Sequence, residues 1–216
     1  MAFSDRPLLI LGTGTFAQEV ADLASEVPGF KVVGFVENWE LEKCQGTLSG
    51  LPILWVDKLA EFVATHWAVC GLGTTQRSRF TEQVAAYGIR FATIIHPKAR
   101  ISTTSSLDEG SVVSVGVIVA AHTQIGRHVI LNRGALIGHH TKIGDFTTIG
   151  PGANIAGNCR IGTATYIGMG AVVLDHLTIG AHSVVGAGAV VTRDVPDHVQ
   201  VMGVPARIIT ENIPGK

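Results

Sequence analysis

Aliphatic residues recur every six positions through the second half of the chain. The series runs Ile101, Leu107, Val113, Val119, Ile125, Leu131, Ile137, Ile143, Ile149, Ile155, Ile161, Ile167, Val173, Ile179, Val185, Val191. All sixteen positions hold Ile, Leu or Val, against only 12 of the 75 residues between them. A helical face repeats every 3.6 residues and a half-buried strand every two, so neither produces this spacing. One deep aliphatic per hexad predicts a three-sided β-solenoid, each hexad forming a flat side and three hexads an 18-residue coil. Glycine often follows the aliphatic, as at Gly126, Gly138, Gly144, Gly150, Gly162, Gly168, Gly180 and Gly186, and is expected there to permit a tight corner. Two positions before the aliphatic the residue is usually small, as at Ala99, Ser105, Thr123, Thr141 and Ala171, and is expected to point into a narrow interior. The frame never slips, so about five coils stack without an inserted loop.

The first half reads differently. LLILG (8–12), KVVGFVEN (31–38), WAVCG (67–71) and FATIIH (91–96) are buried strands. Helices are expected over GTGTFAQEVADLASEV, VDKLAEFVA and TTQRSRFTEQVAAYG. Strand alternating with helix predicts a small parallel, Rossmann-like α/β sheet. The expected organisation is an α/β domain over 1–97, an all-β parallel β-helix over 98–195, and a tail over 196–216 packing on the last coil. The boundary falls at HPKA (96–99), where proline stops the sheet and the six-residue frame begins.

With 46% apolar and 15% charged residues the chain should bury a substantial core. A net charge of −1 provides no basic field for nucleic acid or an anionic membrane. The opening MAFSDRPLLILG carries too short an apolar run for a leader or a membrane span. Three scattered cysteines suggest neither a disulfide framework nor a zinc site, and fit a reducing cytoplasm.

Two places carry candidate chemistry. Gly12-Thr-Gly14-Thr15-Phe-Ala17 follows a strand and opens a helix, the context of a phosphate-cradling turn, with Glu37 and Asn38 ending the second strand where a ribose- or base-binding group is expected. A dinucleotide, a smaller nucleotide and a purely structural turn are all compatible with it; the short α/β domain favours the smaller nucleotide. The second place is His139-His140. Counting by eighteens puts His139 in a column with Ala121, Gly157 and Asp175, and His140 with His122, Asn158 and His176. An imidazole beside a bare glycine N–H could pair a general base with an oxyanion donor. Solvated surface histidines are the bland alternative. A metal site would need three converging ligands, and the His122/His140 column continues into Asn158.

The [LIV]-G-x-x-[ST/A]-x repeat resembles that of the hexapeptide-repeat acyltransferases, which form left-handed parallel β-helices. The run LNRGALIGHHTKIGDFTTIGPGANIAGN (131–158), with GTGTFA, FVEN, GLGTTQRSR, HPKA and MGVPAR, is similar to the nucleotide-amino-sugar N-acetyltransferases and sialic-acid O-acetyltransferases. The resemblance covers nearly the whole chain. It implies a homotrimer using acetyl-CoA as co-substrate and no metal. His139 is then the base, Gly157 the carbonyl-polarising amide and Asn132 a further catalytic position. Gly12, Gly14, Thr15, Glu37, Asn38, Gly73 and Thr74 would hold the nucleotide; Gly157, Asn158, Met169, Ala187 and Arg207 would hold the CoA.

Two positions depart from the pattern. His140 stands where an Asp or Glu usually orients the histidine, so another acid such as Asp145, or one from a neighbouring subunit, would be needed, or the base is weaker. Thr148 stands where some members carry another histidine. The activity expected is transfer of acetyl to the amine of a nucleotide-linked amino sugar, directly and without an acyl-enzyme. The alternatives are O-acetylation of a sugar hydroxyl and a non-catalytic sugar-nucleotide-binding prism.

Overall fold

The computed structural model describes residues 5–216; the first four residues of the opening segment lie outside it. The chain divides into two compact units. One runs to Gly73 and resumes over Arg77–Pro97; the other comprises Thr74–Gln76 and Lys98–Lys216.

The first unit is built on β1 (Arg6–Leu11), α1 (Thr15–Ser25), β2 (Phe30–Glu37), a hairpin of β3 (Thr47–Leu48) and β4 (Leu51–Trp55), β5 (Trp67–Cys70), α2 (Ser78–Ala86) and β6 (Arg90–Phe91). The sheet order is β3-β4-β2-β1-β5-β6, parallel except within the hairpin. Strand β1 lies at the centre, and Leu8 to Leu11 are buried on both its faces, as a continuous aliphatic run requires. Three expectations need correction. VDKLAEFVA forms only a 3-10 turn at Val56–Glu61, because it buries just Val56 and Leu59, one turn apart. The helix expected from residue 74 starts as a 3-10 turn at Thr75–Arg77 and becomes α-helical only at Ser78. FATIIH is two strands, β6 and a separate Ile94–Ile95, the β5–β6 ladder ending with Ala92 N–H donating to Ala68 O at 2.8 Å. The hairpin strand β4, LPILW, escapes the sequence pattern because its apolar run is short and carries a proline.

The second unit is a three-sided parallel β-helix of two-residue strands. Each strand pairs with the one 18 residues on: Leu136 with Asn154 and Ile137 with Ile155 on one face, Lys142 with Arg160 on the next, Thr148 with Tyr166 on the third. The second residue of each pair points inward, so the period-six aliphatics form one stacked core, with Ile101 and Leu107 of the first coil only partly buried. The small inward residues explain their own hydroxyls. Thr123 donates to Gly138 O at 3.0 Å, Thr147 to Gly162 O at 2.7 Å and Thr165 to Gly180 O at 2.8 Å. A buried hydroxyl without such a partner would be costly.

The corners correct the role given to glycine. The glycines after the aliphatics do not turn the chain; they let the next coil approach. A Cβ on Gly144 would lie 2.7 Å from Thr163 N, and one on Gly168 2.6 Å from Ala187 N. The turning is done two residues further on by left-handed backbone, at His122, His128, His140, Phe146, Asn158, Ala164, His176, His182 and His198 among others. Histidine is enriched, with Asn and Asp, in this conformation. Beyond Val191 the chain adds Gln200–Met202 to one face, returns antiparallel as Arg207–Thr210, and ends with Lys216 carbonyl accepting from Thr75 N–H at 2.8 Å. Among the described residues no helix is long and apolar enough to cross a membrane.

Candidate active site

His139 and His140 occupy the corner between the Leu136–Ile137 and Lys142–Ile143 strands, both exposed. Their origins differ. His140 sits at φ +57°, one of six histidines serving as left-handed corner residues. His139 does not, so the corner gives no reason for its imidazole.

The next coil gives that reason. His139 O accepts Asn158 N–H at 2.8 Å, which locks the two coils in register. A Cβ on Gly157 would lie 2.7 Å from His139 Cε1 and 2.8 Å from Nε2. The imidazole therefore occupies the space that any other side chain at 157 would fill. Gly157 N–H makes no hydrogen bond among the described residues. At two corners along another edge the matching amide is taken: Arg127 N–H by Asp145 at 2.9 Å and Ala181 N–H by Asp197 at 2.7 Å.

His139 Nδ1 lies 3.1 Å from His140 Nδ1, the rings nearly perpendicular. One nitrogen must donate and the other accept. If His139 donates, its Nε2 carries the lone pair a base needs. No carboxylate hydrogen-bonds either ring among the described residues. Asp145 is committed to Arg127, at 3.1 Å from Nε and 3.0 Å from Nη2, which removes it as the orienting acid. Thr148 is buried. The His122 and His140 rings are 4.9 Å apart, but no group of three or more His, Cys, Asp or Glu among the described residues is placed to hold a metal. Cys159 is buried, its thiol raised by that burial and directed at Leu174 O; Cys70 is likewise buried and raised. Neither has the thiolate character of a nucleophile.

The expected cofactor residues divide between two edges of one face. Gly157 and Asn158 lie at the corner with His139. Met169 and Ala187 lie at the opposite edge, where with Gly168, Gly186, Met202 and Lys216 they line a groove of about 460 Å³. Arg207 begins the returning strand Arg207–Thr210. Asn132 is at that opposite edge too, its Oδ1 accepting Arg133 N–H at 3.2 Å. One prism therefore does not bring Asn132, Met169 or Ala187 to His139.

In the α/β unit the glycine turn is closely built. Gly12 has φ +102°, and a Cβ there would meet Leu72 at 2.6 Å. Gly14 caps α1 with no side-chain hydrogen bond and nothing within 4 Å of its missing Cβ. With the exposed Thr15 it presents the unpaired N–H groups of a helix start, the donors an anion accepts. Gly73 packs near the Phe16 ring. Thr74 belongs to the other unit, where its hydroxyl donates to Lys216 O.

Glu37 is 6% exposed. Its Oε1 accepts N–H groups of Asn38 at 3.0 Å, Trp39 at 2.8 Å and Glu40 at 3.4 Å, while Oε2 accepts the Thr13 hydroxyl. The sequence does not foretell this carboxylate tying the glycine turn to the β2 exit; nothing in the spacing marks Thr13 as its partner. Asn38 is anchored through Nδ2 to Gln83 Oε1 at 2.8 Å. Burial pushes the Glu37 carboxyl up, but the Thr13 and backbone donors outweigh it, leaving the pKa below 4.5. A depressed native pKa stabilises the fold at pH above the unfolded value, and that stability drains as pH falls through the native one. Glu37→Gln is thus expected to destabilise by about 1–3 kcal/mol at pH 7. Thermal melts should show the gap to the parent closing below about pH 4; a gap independent of pH would contradict it.

Coils of three six-residue sides, with an imidazole against a bare amide at one corner, match the architecture of the hexapeptide-repeat transferases. The family model for bacterial transferase hexapeptide (six repeats) matches residues 122–157, 140–175 and 158–193. A histidine-to-asparagine variant of perosamine N-acetyltransferase from Caulobacter crescentus, in complex with CoA and GDP-perosamine, is 30% identical with a TM-score of 0.88, over 95% of this chain and 97% of that one. The acetyltransferase domain of PglB from Neisseria gonorrhoeae, in complex with acetyl coenzyme A, is 31% identical with a TM-score of 0.87, over 95% and 100%. WeeI from Acinetobacter baumannii is 27% identical with a TM-score of 0.84, over 94% and 99%. No curated protein sequence matches. The chain belongs to the hexapeptide-repeat acyltransferases, in the group that acetylates sugars, and is an acyl-CoA-dependent acetyltransferase with a left-handed β-helix.

Proposed function

We propose that the protein transfers acetyl from acetyl-CoA to the amino group of a nucleotide-linked amino sugar, with His139 as general base. The observation that carries the reading is the His139 imidazole lying against Gly157, whose N–H has no acceptor among the described residues. His139 Nε2 takes a proton from the sugar amine as its nitrogen attacks the thioester carbonyl. Gly157 N–H stabilises the oxyanion that forms. The C–S bond then breaks, the amide is left on the sugar, and His139 returns the proton to the CoA thiolate. His140 holds the His139 ring through the Nδ1–Nδ1 contact, in place of a carboxylate. A neutral imidazole orients its neighbour but supplies no negative charge for the imidazolium.

The division of Asn132, Met169 and Ala187 from His139 supports a closed trimer. The two edges of the face would then meet across adjacent copies, with acetyl-CoA between them, as a cyclic arrangement allows. Nucleotide binding is assigned to Gly12, Gly14 and Thr15, with Glu37 and Asn38 shaping their surroundings and Gly73 at the β5 exit. The work would be cytoplasmic, in building a surface polysaccharide or glycan.

Nitrogen is favoured over oxygen as acceptor because the perosamine relative is an N-acetyltransferase solved with a nucleotide-linked sugar. O-acetylation would use the same base and donor. Thiol release from acetyl-CoA with paired amino and hydroxyl forms of several nucleotide-linked sugars decides between them. Release is expected with an amine; release with the hydroxyl partner alone would replace this reading.

A further inference from the structure

Three tryptophans stand in the α/β unit, and two are occupied. Trp55 donates from Nε1 to Asp57 at 3.2 Å. Trp67 lies edge-on to Phe30, with the Arg6 and Arg90 guanidiniums 5.1 and 4.4 Å from its centroid. Trp39 is 86% exposed, and its indole makes no hydrogen bond or ring contact among the described residues. A large aromatic left in water forfeits burial that a core position would provide.

Its backbone, by contrast, is firmly held. Trp39 N–H donates to Glu37 Oε1 at 2.8 Å, and the same carboxylate accepts from Asn38, Glu40 and Thr13. Thr13 lies inside the glycine turn, and Gly12 N–H donates to Val36 O at 2.8 Å. The turn after β1 and the turn carrying Trp39 are thus one hydrogen-bonded body. Both sit at the carboxyl ends of adjacent parallel strands, where open α/β sheets bind ligands. An anion on the start of α1 therefore has a bare aromatic ring, carried on a firmly held backbone, at the neighbouring strand end.

We infer that Trp39 is the platform on which the base of the nucleotide-linked sugar stacks. This deepens the function proposed above and rests on it. The ligand class is a nucleoside diphosphate: its phosphates meet the Gly14–Thr15 amides and its flat base covers the indole. Stacking on an aromatic face tolerates any base, with hydrogen bonds elsewhere selecting among them.

Steady-state kinetics of Trp39→Ala and Trp39→Phe, with a nucleotide-linked amino sugar that the parent acetylates, test the assignment. Trp39→Ala should raise the sugar-nucleotide KM about 10- to 100-fold, leaving kcat and the acetyl-CoA KM within about twofold. Trp39→Phe keeps a ring and should stay within about threefold. Because the side chain is exposed, the melting temperature should not move. An unchanged KM in Trp39→Ala overturns the inference, and an accompanying change in oligomer mass would assign the ring to a subunit contact instead. Calorimetry with GDP and UDP separates this failure from that of the parent reading. If no amino sugar is acetylated but Trp39→Ala weakens nucleoside diphosphate binding, Trp39 keeps its role and the acceptor is wrong. Parent protein that binds neither nucleotide overturns the inference.

Discussion

His139→Ala should lower kcat by about 10²–10⁴, the contribution of a positioned general base, with the acetyl-CoA KM little changed. The side chain is exposed and its backbone is not left-handed, so the coil should fold as before, and a melting curve checks this. A loss smaller than about threefold would remove His139 from the mechanism, because that lies far below the range for a base. His140 needs a different substitution. Alanine at φ +57° strains the corner, whereas asparagine accepts that conformation. His140→Asn therefore removes the Nδ1–Nδ1 contact without disturbing the turn, and should cost about tenfold in kcat as an orientation effect. Equal losses at the two positions would show the imidazoles acting as one unit.

Gly157→Ala is expected to be nearly as damaging, by a separate route. The added methyl would lie 2.7 Å from His139 Cε1 and 2.8 Å from Nε2, closer than carbon and nitrogen can pack. Gly157 lacks a positive φ, so its backbone accepts alanine and keeps its N–H. The exposed imidazole gives way instead. Displacing a catalytic group by about 1 Å can cost roughly 10²-fold, and that is the fall expected in kcat, with an unchanged melting temperature. Activity within threefold of the parent would mean that the imidazole does not work from the place where the structure puts it. Combined with His139→Ala the glycine substitution should cost little more, since both disable one group.

The β-helix was legible because its core is periodic: one aliphatic per hexad announces the coil, and the step of eighteen correctly put His139 beside Gly157. The α/β unit was legible only in outline. VDKLAEFVA has helical composition, yet two buried side chains were too few to hold an α-helix. The glycines after the aliphatics are plain in the sequence and their purpose is not, since the sequence does not distinguish a residue that turns the chain from one that lets a neighbouring coil close in. Seven of the nine histidines fall in the β-helix half, and the sequence singles out His139 by its column with Gly157 without saying what the other six do. The φ angles do: six turn corners, and His139 does not.

Sequence by itself determined the coil, its register and the column in which His139 lies, because each follows from a repeat that aliphatic residues must satisfy at every turn. Tertiary structure alone decided which histidines turn the corners, that Asp145 belongs to Arg127, that Glu37 fastens the glycine turn, and that Trp39 is left bare. Those depend on side-chain direction and on partners far apart in the chain, for which no spacing rule exists.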